Sequence, residues 1–89
     1  MPQQRVITAF NSQTKADLIT LIDSSVDELV TLGEGDFILT LCLDACNNDF
    51  YATVTESTPA TLKGNMSTYI NAIPCASLSG SLNIIYTYS

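Results

Sequence analysis

The stretch "FILTLCLDACNNDFYATV", residues 37 to 54, decides how this chain is read. Phe37 to Leu43 is almost continuously apolar, and such a run between turn signals predicts a strand covered on both faces. Phe50 to Thr55 predicts the next strand, with an aromatic start and a Val/Thr end. Between them lies "DACNND". Asn and Asp tolerate left-handed backbone and bond their own main chain, so the segment predicts a hairpin loop. Its residues Asp44, Cys46, Asn47, Asn48 and Asp49 also invite a metal-site reading. Calcium wants about six to eight oxygens at alternating loop positions with a glycine bend, and the spacing here supplies neither. Zinc wants about four Cys or His ligands; Cys42, Cys46 and Cys75 are the only thiols and no histidine occurs. The expectation is a turn, with no metal.

Working outward, Arg5 to Phe10 ("RVITAF") predicts a short strand. Thr14, followed three residues later by Asp17, resembles a capping box that starts a helix. An apolar stripe through Leu18, Ile19, Ile22, Val26, Leu29 and Val30 carries that helix toward Gly33, a C-terminal cap. The competing reading stops it near Ser24-Ser25 and makes "DELVTL" a strand; the long helix is the expectation. A second helix is framed by Thr58 as cap, Pro59 at the first helical position and Pro74 at the end. Leu62, Met66, Tyr69, Ile70 and Ile73 form its apolar face, and Gly64 weakens it. Leu82 to Tyr88 ("LNIIYTY") predicts the last strand.

The order β-α-β-β-α-β predicts one small α+β domain over residues 1–89. Its expected form is the split βαβ, ferredoxin-like arrangement: an antiparallel sheet of four strands with both helices on one face. A rearranged sheet with an extra strand is the fallback. In the ferredoxin-like order both "FILTLCL" and "LNIIYTY" lie at sheet edges.

Composition narrows the chemistry. Three basic residues (Arg5, Lys15, Lys63) stand against nine acids, a net charge of −6, which argues against a nucleic-acid partner. Without histidine, a Ser–His–Asp or Cys–His nucleophile system is unavailable. No apolar run approaches the ~20 residues of a membrane span, and the N-terminal residues lack signal-peptide features. The expectation is a cytoplasmic protein, or a virion component if phage-encoded, with its odd number of cysteines reduced. Cys42 reads as a small hydrophobe and Cys46 as the more exposed thiol; neither has a basic neighbour in sequence to activate it.

Other candidates give way to simpler readings. "GEGD" (Gly33 to Asp36) carries two acids that would repel a phosphate and reads as a turn. Asp17, Asp23, Asp27 and Glu28 offer paired carboxylates, but on an amphipathic helix they read as a solvated face. Tyr51, Tyr69, Tyr86 and Tyr88 lack the basic groove of a nucleic-acid stacking platform. No catalytic residue, cofactor site or metal site is predicted, and a non-enzymatic role is the expectation.

The anomaly is the surface. Nine Ser and eleven Thr stand where Lys and Glu usually stand, and charged residues make up only 13% of the chain. Protein contact regions are depleted of Lys and Glu at their centres. Two apolar strands without Lys or Pro guards invite pairing with another chain. The functional expectation is an assembly module, a subunit of a homo-oligomer or larger particle in the style of small phage structural or accessory proteins. Its expected interface residues are Phe37, Leu39, Leu41, Ile84, Tyr86 and Tyr88. Two alternatives are a small-ligand-binding regulatory domain of ferredoxin-like fold, for which "FNSQT" (Phe10 to Thr14) is the weak candidate loop, and a small acidic inhibitor of a basic site.

Overall fold

In the computed structural model, which describes residues 2–89, every second side chain of β2 (Gly35–Ala45) is enclosed. Phe37, Leu39, Leu41 and Leu43 are buried, whereas Ile38 is 41% exposed and Thr40 and Cys42 are half-buried. The expectation of a strand covered on both faces is therefore corrected: one face is covered and the other is open. The same alternation runs through β4 (Ser77–Tyr88), where Leu82, Ile84 and Tyr86 are buried and Asn83, Ile85 and Thr87 are not. Successive strand side chains point to opposite faces, so the periodicity marks a sheet with helices on one side.

Those helices are α1 (Lys15–Val30) and α2 (Pro59–Ala72), and β1 (Gln3–Thr14) and β3 (Asn48–Glu56) complete the sheet. Helix α1 continues past Ser24-Ser25, as expected, but ends at Val30 with Thr31 rather than Gly33 as its C-terminal cap. Thr14 Oγ1 accepts a hydrogen bond from the Asp17 N–H at 3.1 Å, and Leu18, Ile22, Val26 and Leu29 face the sheet. In α2, Leu62, Met66 and Ile70 are buried. Pro59 opens it as expected, but the Thr58 side chain makes no capping bond. The Glu56 carboxylate instead accepts from the Ser57 and Thr58 N–H groups just before the helix, at 3.1 and 3.4 Å. One hydrophobic cluster joins the buried residues of both helices to one face of all four strands. Among the described residues no helix is long and apolar enough to cross a membrane.

All strand pairs are antiparallel, in the order β1-β4-β2-β3. The element order and α+β class agree with the sequence reading. The placement of the apolar strands does not. "FILTLCL" and "LNIIYTY" are the two central strands, and the edges are β1 and β3. The physical reason is burial: the two strands richest in enclosed apolar side chains gain most by having neighbours on both sides as well as helices above.

Register sets rows across the sheet. On the covered face Val6, Ile84, Leu39 and Val54 align, followed by Thr8, Leu82, Leu41 and Ala52, then Phe10, Gly80, Leu43 and Phe50. Gly80 has no side chain for a steric reason. A Cβ there would land on the Cys42 carbonyl oxygen. Beside it, β1 shifts register between Phe10 and Gln13, with Ser12 at φ 50°. Gly64 differs: nothing lies within 4 Å of where its Cβ would sit, on an exposed turn of α2.

The two glycines predict opposite outcomes in denaturant melts. Gly64→Ala raises stability by about 0.5–1 kcal/mol through helix propensity. Gly80→Ala lowers it by at least about 2 kcal/mol, because backbone must move to admit a methyl group.

Candidate interaction surface

The expected interface residues lie mostly inside the molecule. Phe37, Leu39, Leu41, Ile84 and Tyr86 are at most 1% exposed, enclosed between the sheet and the helices. They are core, which corrects their assignment to an interface. Tyr88 is half-buried and stacks on Tyr86 at 5.6 Å, while Phe37 lies 4.4 Å from the Tyr86 ring. The Tyr86 hydroxyl donates to the Gly33 carbonyl, fixing the turn after α1. Burial pushes this phenol above its ordinary value, and the carboxylates of Glu34 and Asp36 add to the shift.

The opposite face of the sheet is bare. Its rows read Arg5, Ile85, Ile38, Thr55; then Ile7, Asn83, Thr40, Thr53; then Ala9, Ser81, Cys42, Tyr51. Three of the four large exposed hydrophobics of the described residues lie here: Ile7 at 63%, Ile38 at 41% and Tyr51 at 67%. Among these twelve positions Arg5 carries the only charge, and its Nε donates to Asn83 Oδ1 at 3.2 Å. Thr53 Oγ1 donates to the Tyr51 hydroxyl at 2.9 Å. The result is a plate of hydroxyl, amide and methyl groups without the lysines and glutamates that normally keep a surface in bulk water. Toward the β2–β3 end, a shallow hollow of about 360 Å³ is lined by Cys42, Asp44, Phe50, Tyr51 and Ser81. The sequence signal for this face was the odd–even pattern of "FILTLCL", whose small or polar members, Thr40 and Cys42, alternate with large apolar ones.

The remaining candidates resolve structurally. "DACNND" is a turn, as expected: Ala45 pairs with Asn48, and the two-residue loop places Cys46 at φ 51° and Asn47 at φ 63°, the type I′ pattern. The thiols are a correction. Cys46 and Cys75 form a disulfide with Cα atoms 6.1 Å apart, and only Cys42 is free. The odd cysteine count concealed a pair because the partner sits just past α2, far along the chain but beside the hairpin tip in space. Asp27 makes an ion pair with Lys63 of α2 and so bridges the two helices. Of "GEGD", Gly33 and Glu34 lie in the turn after α1 and Gly35 and Asp36 open β2; together they border an open cleft of about 730 Å³ with Ser57, Thr58 and Pro59. Among the described residues no group of three or more His, Cys, Asp or Glu side chains is arranged to hold a metal ion.

Two measurements check this geometry. The bond spans 29 residues of sequence, and closing such a loop restricts the unfolded chain by about 3.5 kcal/mol. Thiol titration of the unfolded, unreduced protein therefore finds one free thiol per chain, and Cys46→Ser with Cys75→Ser lowers stability by roughly 3 kcal/mol. For Tyr86, a raised value means the neutral phenol's contribution is complete below about pH 10 and is lost as pH climbs through the folded-state value. Stability accordingly falls in that alkaline window, and Tyr86→Phe flattens the fall.

The chain matches no known family model, and no curated protein shows significant similarity to it.

Proposed function

We propose that this protein is a non-enzymatic assembly module, a subunit of a homo-oligomer or of a larger particle. The observation that carries the reading is the bare sheet face, where Ile7, Ile38 and Tyr51 stand exposed among threonines with one cation in twelve positions. A face of this kind gains by packing against another protein surface, because its apolar groups leave water while its hydroxyls retain hydrogen-bonding partners. The expected role is unchanged from the sequence, but the surface is different: the open face replaces the apolar strands that form the core. A particle component, such as a phage structural or accessory protein, fits the same features. The Cys46–Cys75 bond supports residence in an oxidising setting, including a virion surface, over a reducing cytosol.

Size exclusion with light scattering tests the reading. At tens of micromolar the protein runs at a mass of two or more copies, and Ile38→Lys lowers that copy number. A sharp single-copy mass for the unaltered chain at every concentration overturns self-assembly.

A further inference from the structure

We propose that the free edge of β3 is a homodimer seam, where two copies pair Asn48–Glu56 antiparallel about a two-fold axis at Ala52 and merge their sheets into one of eight strands. The inference deepens the assembly reading and rests on it.

The two sheet edges are built differently. β1 is guarded in ways proteins use to prevent edge pairing: Pro2 precedes it, it carries the charge of Arg5, and its register breaks between Phe10 and Gln13. β3 has none of these devices. Its register against β2 is unbroken from Asn48 to Glu56, it contains no Lys, Arg, Pro or Gly, and its acids, Asp49 and Glu56, sit near its ends. At nine residues it exceeds the usual strand of about 5–6. Every second residue of such an edge turns its N–H and C=O outward, ready for a ladder.

Burial points the same way. Phe50, Ala52 and Val54 face the helices yet are only half-buried, because β3 has a strand neighbour on one side only. A neighbouring strand would complete their enclosure.

Symmetry then fixes the register. A two-fold axis perpendicular to the sheet keeps both helical layers on one side, so covered-face residues must oppose covered-face residues and the axis must fall at a residue. Ala52 is the midpoint of Asn48–Glu56, so the whole strand pairs. Phe50 then opposes Val54 of the second copy, Tyr51 opposes Thr53, Asp49 opposes Thr55 and Asn48 opposes Glu56. Aromatic–β-branched pairs are favourable across antiparallel strands, and no two acids meet. An axis at Thr53 would set Phe50 against Glu56, and one at Tyr51 would set Asn48 against Val54 and leave the strand end unpaired.

Cross-linking tests the seam. Two residues related by this axis have Cα atoms about 4.5–5.5 Å apart, within the roughly 4.4–6.8 Å that a disulfide spans. In a Cys42→Ser background, Ala52→Cys under mild oxidation converts most of the protein to a covalent dimer, whereas Gln4→Cys, on the guarded edge and away from the open face, does not. Independently, Thr53→Lys places two lysines within diagonal reach across the seam and weakens dimerisation at least tenfold by light scattering. If the protein associates but Ala52→Cys stays uncross-linked and Thr53→Lys changes nothing, the seam is overturned and assembly through another surface stands. If the unaltered chain is a single copy throughout, both fall.

Discussion

The structure depends on covering a four-stranded sheet from one side only. Two helices suffice for a single face, and their buried residues meet Phe37, Leu39, Leu41, Leu82, Ile84 and Tyr86 in one continuous cluster. Once that face is committed, the rest follows. β2 and β4 take the centre, where each apolar side chain is flanked by strands as well as roofed by helices. β1 and β3 become edges, and the far face must meet either water or another molecule.

Much of this was legible in the chain. Helix α2 announced itself through Pro59, Pro74 and the 62-66-70-73 spacing, because helix ends and faces are local properties. The "DACNND" turn was legible for the same reason. Strand order was not: it follows from which strands gain most by being enclosed, a comparison between segments distant in sequence. Reading Phe37 to Leu43 as doubly covered hid the alternation that Thr40 and Cys42 carry, and with it the open face. The interface residues came from placing both apolar strands at the edges, and all of them but Tyr88 proved to be core. Strands that are too apolar for an edge are, for that reason, in the middle.

The disulfide is the clearest case of long-range information. Nothing adjacent to Cys46 or Cys75 marks them as partners. They meet because α2 returns the chain to the tip of the β2–β3 hairpin. Cys46 occupies a turn position where positive φ favours Gly, Asn or Asp. A residue tolerated there against local preference is held by its covalent partner, so the bond both anchors the hairpin and secures an unfavourable backbone conformation.

Strand order also has a consequence for synthesis. β4 is the last element in chain order yet lies between β1 and β2, pairing Gln3 with Thr87 and Leu39 with Ile84. Until its residues leave the ribosome, β1 has no strand neighbour and the emerging chain carries an unfinished, greasy hairpin. Cys75 lies just ahead of β4, so its bond to Cys46 ties the approach to that strand to the hairpin it must pair with. Closing the sheet therefore waits on β4, its keystone.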